Sequence, residues 1–216
     1  MNANEYNRKR LRSGDIPDSV ITKMVELWQE EHGLDVDGKL GPITLKSIGA
    51  ETTFEPDWTT DSKRKWAEEL YGAFRFKSQP NGRIVISSTW VRENIVRVEL
   101  HNGKKVRINK KIAEHFKTTF KEACEKSGYT PNSVQTFVPR HTLWNTSKSV
   151  SAHSWGCAVD FDPPKNPMGG KIKKTGRPSL LRTHPEFVKV FKDAGWTWGG
   201  DWRMKDDMHF ELRKEL

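Results

Sequence analysis

Apolar residues recur with two different periods along this chain, and the change from one to the other marks its regions. From Pro17 to His32 the spacing is helical, with Val20, Met24 and Leu27 beside Ile21, Val25 and Trp28 on one face. Pro17 suits a first-turn position and Gly33 stops the helix. Leu34 to Thr44 then holds two glycines and a proline, which predicts a compact loop. Pro42 can open a second short helix that ends near Gly49. Glu51 to Thr60 has little periodicity and reads as a linker. Asp61 is expected to cap a short helix through Leu70 that turns Trp66 and Leu70 inward.

Beyond Pro80-Asn81-Gly82 the period becomes two. Ile84, Ile86 and Ser88 alternate with Val85 and Ser87, and Asn94 to Glu99 repeats the alternation, so both read as strands. His101 to Lys104 supplies a hairpin turn leading into Lys105 to Ile108. Helical spacing returns at Ile112, Phe116, Phe120 and Ala123/Cys124, with Asn109 as the N-cap and Gly128 as the stop. Ser133 to Val138 is expected to be a strand that delivers Pro139, Arg140 and His141 at its end. Asn166 to Pro178, rich in glycine and lysine, reads as a surface loop. Thr183 is expected to cap a last helix with Pro185 in its first turn and Phe187, Val190 and Phe191 inward. Trp196 to Trp202 and Met208 to Leu212 read as two closing strands around a glycine turn. The predicted fold is α+β, a small antiparallel sheet with packed helices, preceded by a small all-α module. The expected divisions are a module over 1–50, a linker and connecting helix over 51–80, and a larger domain over 81–216.

Composition narrows the class. A chain of 216 residues can form a core without staples. Its two cysteines, Cys124 and Cys157, have no Cys-x-x-Cys spacing, so they read as buried thiols rather than as a disulfide framework or a thiolate metal site. Met1 to Gly14 is polar and basic without an apolar signal region, and no run approaches the ~20 apolar residues of a membrane span. The expected location is therefore the cytoplasm unless another system releases the protein. The net charge is +9, and residues 51–216 hold 30 Lys and Arg against 20 Asp and Glu. That surplus favours polyanions in general, whether nucleic acid, anionic lipid or bacterial wall polymers. The cations are not interleaved with aromatics as in nucleic-acid readers, so nucleic acid is not an expected partner.

Chemistry concentrates in two short stretches. Ser151-Ala-His153-Ser-Trp-Gly156-Cys-Ala-Val-Asp160 offers an imidazole and a carboxylate around a glycine, and Asp206-Asp-Met-His209-Phe-Glu211 offers a second imidazole. His153, Asp160 and His209 together suit Zn²⁺ with a fourth position open for water, the arrangement of a hydrolytic site. Gly156 is expected to let the backbone pass close to the metal. Alone, His153 would read as an ordinary hydrogen-bonded histidine; with the other two donors it does not. His101, His115, His141 and His184 read as structural or solvated, with His141 nearest the site. Trp155, Trp198 and Trp202 are candidates to wall the site or stack on substrate.

Ser151-x-His153-x-x-Gly156-x-Ala158-x-Asp160, followed by Trp198-Gly-Gly-Asp-Trp202 and Asp206-x-x-His209-Phe210-Glu211, resembles the zinc D-Ala-D-Ala carboxypeptidase family. That family includes vancomycin-resistance dipeptidases and phage L-alanyl-D-glutamate endolysins. The resemblance implies Zn²⁺ held by His153, Asp160 and His209, with Asp206 as general base and Arg140 polarising the scissile carbonyl. Apart from the resemblance, Ser151 is a candidate to hydrogen-bond substrate, and Trp155 and Trp202 are the candidate substrate-binding aromatics. On an extended strand Asp207, two residues from His209, would share its face, so Asp207 is the rival base and only the family pattern selects Asp206. Trp28-Gln29, Gly33-Leu34 and Val36-Asp37-Gly38-x-x-Gly41-Pro42-x-Thr44 resemble a small three-helix peptidoglycan-binding module. Together the two resemblances and the absence of an apolar signal region imply a phage-type endolysin, expected to be a monomer. It would be held in the host cytoplasm until release and would cut the L-Ala–D-Glu amide of peptidoglycan stem peptides. A D-Ala-D-Ala carboxypeptidase is the alternative within the class, and a non-catalytic wall-binding protein is the alternative outside it.

Overall fold

The computed structural model describes residues 16–49, 58–170 and 176–215. Residues 51–57 of the expected linker and 171–175 of the expected surface loop lie outside them. The chain divides into two compact units, 1–57 and 58–216.

In the first unit α1 runs over Asp18–Glu31 and α2 over Pro42–Ser47. Hydrophobicity alone misplaces the inward face of α1. Val25 and Gln29 are buried, whereas Val20, Met24 and Leu27 are exposed. The polar Gln29 is inside because it closes the loop. Its Nε2 donates to Asp37 Oδ1 and Thr44 Oγ1, and its Oε1 accepts from the backbone N–H of Asp37 and Gly38. A buried amide satisfied on both ends fixes a loop more tightly than an apolar contact would.

The second unit is α+β, as the sequence predicts. It begins with α3 (Lys65–Tyr71), β1 (Phe76–Ser78), β2 (Ile84–Ile86), α4 (Ser88–Asn94), β3 (Ile95–Glu99) and β4 (Lys105–Asn109). After α5 (Ala113–Ser127) come β5 (Val134–Gln135), β6 (Ala158–Phe161), α6 (Leu180–Thr183), α7 (Pro185–Asp193), β7 (Trp196–Trp198) and β8 (His209–Leu212). Several boundaries differ from expectation. α3 starts at Lys65 rather than at Asp61, because Lys63 adopts φ 57° and interrupts any earlier turn. Ser88 opens α4 instead of extending β2. The expected strand over 133–138 pairs only at Val134 and Gln135. Thr183 closes the short α6, donating to Leu180 O, and the residue before α7 is His184. The hairpin at 101–104 and the helix ended by Gly128 form as predicted.

A four-stranded antiparallel sheet in the order β5-β6-β8-β7 carries the site. Val159 pairs with Phe210, and Asp160 pairs with His209. Directly opposed residues share a face and neighbours alternate. One face therefore carries Val159, Phe161, Phe210 and Leu212, and the other carries Ala158, Asp160, His209 and Glu211. Against the apolar face pack Phe116 and Phe120 of α5 and Phe187 and Phe191 of α7, with Phe161 ring centroids 5.1 Å from Phe187 and 5.3 Å from Phe191. This aromatic core holds β6 and β8 in register, so the polar pair on the opposite face is set by packing beneath it.

Candidate metal and catalytic site

The cross-strand pairing of Asp160 with His209 brings two of the predicted ligands together without any loop rearrangement. His153 arrives from the turn Ala152–Trp155 that precedes β6. Gly156, just after it, adopts φ +66°, and a Cβ there would lie 2.8 Å from Asn109 N and 2.9 Å from Ile95 Cδ1. The glycine is thus needed for the turn to pass the end of β4, where its neighbours are the Ile108–Asn109 backbone and the Ile95 side chain.

The three donor atoms form a tight triangle. His209 Nδ1 lies 2.9 Å from Asp160 Oδ1, His153 Nε2 lies 3.1 Å from the same oxygen, and the two nitrogens are 3.2 Å apart. All three residues are buried. Each histidine's other nitrogen faces an acceptor: His153 Nδ1 donates to Thr136 O at 2.7 Å, and His209 Nε2 donates to Glu211 Oε2 at 3.3 Å. With those protons committed outward, the neutral forms of the two histidines would turn lone pairs toward Asp160, the arrangement that suits a cation at the centre. Among the described residues this is the one group of His, Cys, Asp and Glu arranged to hold a metal ion.

Without a cation, a proton on His209 balances the carboxylates around it. Burial opposes ionisation of Asp160, but His153 and His209 hold its carboxyl far below the usual range. For His209 burial opposes the charge, yet hydrogen bonds to Asp160 and Glu211 raise it to about 10. Glu211, also opposed by burial, is pulled down to about 2 by His209, Arg213 and Arg64.

The triangle opens onto a cavity of about 660 Å³, with Arg140, Ser151, Trp202 and Asp206 among its walls. Asp206 Oδ1 is buried and bonds to no described group, and burial together with Asp160 raises the Asp206 pKa. Gly199 holds Asp206 in place: Asp206 N donates to Gly199 O, and a Cβ on Gly199 would meet Asp206 O at 2.5 Å. Arg140 Nη2 stands 4.0 Å from Asp160 Oδ2, with its guanidinium over Trp144.

Two expectations are corrected here. Trp155 lies wholly inside the core, donates to Gly72 O and packs on Phe74, so it cannot touch a substrate in the cavity. Asp206 and Asp207 do not lie on an extended strand, because His209 N bonds back to Asp206 O in a turn. That turn sends the two carboxylates apart. Asp207 is fully buried, accepting from Ser179 Oγ and two guanidinium N–H groups of Arg182 at 2.6 and 2.7 Å. Asp207→Ala is expected to destabilise the fold by about 3 kcal/mol, the low end for a buried pair because Arg182 keeps some solvent contact. Chemical denaturation measures this, and an unchanged midpoint would contradict it. His141 bonds to Ser78 Oγ and Lys148 O and is structural. Sequence reasoning gave no role to Arg64, Trp144, Glu211 or Arg213, although Glu211 sits two residues from His209 and so had to share its face.

Residues 145–212 match the family model described as D-alanyl-D-alanine carboxypeptidase. That span is similar to a peptidase family. It contains Ser151, all three donor residues, Asp206 and Glu211, and it stops short of Arg140 and of the first unit. No curated protein and no solved structure matches the chain. Among the described residues no helix is long and apolar enough to cross a membrane.

Proposed function

We propose that this protein is a zinc peptidase that hydrolyses the L-Ala–D-Glu amide of peptidoglycan stem peptides, in the manner of a phage endolysin. The observation that carries the reading is the buried donor triangle opening onto a cavity beside an unpartnered carboxylate oxygen. His153, Asp160 and His209 would hold Zn²⁺. Bound there, zinc brings a water's pKa toward ~7 and polarises a carbonyl. Asp206 accepts the proton of the attacking water and delivers it to the leaving amine. The Arg140 guanidinium, close to Asp160, offsets negative charge developing on the scissile carbonyl oxygen. Ser151 and Trp202, both on the cavity wall, contact the stem peptide.

The first unit is assigned to wall binding, on its resemblance to the peptidoglycan-binding module. A tethered binder raises effective substrate concentration without altering chemistry. Removing residues 1–57 is expected to leave cleavage of a soluble stem peptide unchanged and to weaken adsorption to purified sacculi. Equal adsorption would remove this assignment.

The description of the matched family favours a second reading, removal of a terminal D-Ala. The same donor set serves both bonds, and selectivity lies in the cavity walls. Loss of turbidity from permeabilised bacteria, abolished by a chelator and restored by zinc, is the expected behaviour of the endopeptidase. A carboxypeptidase or a pure wall binder would leave turbidity unchanged.

Zinc uptake is also expected to depend on pH. The raised His209 pKa means that in metal-free protein the imidazole keeps a proton up to pH about 10. Zinc needs that nitrogen's lone pair, so binding at neutral pH should release a proton and tighten as the pH rises. Calorimetry in buffers of different ionisation enthalpy reads the proton directly. Binding without proton release would contradict the description of His209.

A further inference from the structure

Glu211 projects from β8 on the same face as His209, two residues along and directly opposite Ala158 of β6. The methyl side chain of Ala158 leaves the space that a carboxylate needs. Glu211 is 1% exposed, and its two oxygens have separate partners. Oε1 accepts from Arg213 Nε at 2.5 Å and also faces Arg213 Nη2. Oε2 accepts from His209 Nε2 at 3.3 Å and lies 3.8 Å from Arg64 Nη1.

Both arginines are themselves held. Arg64 Nε donates to Val150 O at 2.8 Å, and its Nη2 donates to Thr142 Oγ1 at 3.3 Å. The Arg213 guanidinium lies 5.5 Å from the ring centre of Trp66 and 5.7 Å from that of Trp202. Planar guanidinium stacked on aromatic rings loses little further freedom on binding a carboxylate. The carboxylate therefore cannot easily rotate, and one oxygen stays directed at His209.

Histidine offers either ring nitrogen to a metal, and the hydrogen bond made by the other nitrogen decides which. His153 bonds outward through Nδ1 and presents Nε2, while His209 bonds outward through Nε2 and presents Nδ1. We propose that Glu211, braced by Arg64 and Arg213, is the positioning residue that fixes His209 in the Nε2–H tautomer and so dedicates Nδ1 to the metal. The inference rests on the zinc-site reading above. It adds a layer in which three residues outside the ligand set determine one ligand's orientation.

The test uses full-length, zinc-loaded protein with ¹⁵N-labelled histidine. Heteronuclear spectra are expected to show His209 with its proton on Nε2, in slow exchange with solvent, and His153 with its proton on Nδ1. Glu211→Ala should speed exchange of the His209 Nε2 proton and weaken zinc binding about 10- to 100-fold, the usual cost of losing a ligand's outer partner. Arg213→Met, which keeps Glu211 but frees its Oε1, should weaken zinc less than Glu211→Ala does. A proton on Nδ1 of His209 in the wild-type spectrum would overturn the proposal without any variant. So would a Glu211→Ala protein that binds zinc within twofold of wild type. Wild-type protein that takes up no zinc would overturn the zinc-site reading together with this inference. A zinc-binding wild type with an indifferent Glu211→Ala variant would overturn this inference alone.

Discussion

Asp206→Ala is expected to keep its zinc and its fold while losing ~10²–10⁴-fold in turnover of a stem peptide, the range for removal of a general base. The expectation follows from the contrast between two adjacent carboxylates. Asp207 has every oxygen engaged by Ser179 and Arg182 inside the protein, whereas Asp206 Oδ1 has no described partner and its side chain lines the cavity. A base must reach the proton it removes, so the proposal rests on the reach of Asp206 into the cavity rather than on acidity. Turnover and metal content measured on the same samples check both halves of the claim. An Asp206→Ala enzyme with near wild-type turnover would move the base elsewhere.

His153→Ala is expected to lose both stoichiometric zinc and activity. Structural zinc binding of about 10–16 kcal/mol shared over four ligands gives about 3 kcal/mol per ligand, or roughly 10²-fold in affinity. With three protein donors rather than four, the site has less to lose before zinc dissociates on dialysis. Truncation also leaves Thr136 O without its donor and removes a charge partner of Asp160. Metal analysis after dialysis reads the outcome, and full zinc content in His153→Ala would show that the metal lies elsewhere.

Much of this site was legible because its signals are local. Ser151 to Asp160 and Asp206 to Glu211 each hold their donors within a few residues, and alternation on a strand states which of them share a face. Where the outcome depended on distant partners, the pattern failed. The inward face of α1 could not be read from hydrophobicity, because the buried position is the amide Gln29 and three apolar neighbours stay outside. β1 was missed because three residues, Phe76 to Ser78, carry no period of their own and exist only through pairing with Ile84–Ile86. Trp155 looked like a cavity wall from its place beside His153, yet the turn at Gly156 rotates it into the core. Arg64 reaches Glu211 across 147 positions of chain, a relation that no spacing rule describes. The choice between Asp206 and Asp207 turned on a single backbone hydrogen bond, from His209 N to Asp206 O, that replaces an assumed strand with a turn.

The proposed activity is defined by the bond that is cut. Trimming a terminal D-Ala removes no existing crosslink, whereas cleavage of the L-Ala–D-Glu amide detaches the crosslinked part of the stem, from D-Glu onward, from the glycan. Mass spectrometry of purified sacculi digested by the zinc-loaded protein distinguishes the two. The proposed endopeptidase should release peptides that begin with a new N-terminal D-Glu, absent when a chelator is present. Free D-Ala accompanied by intact stems would contradict it.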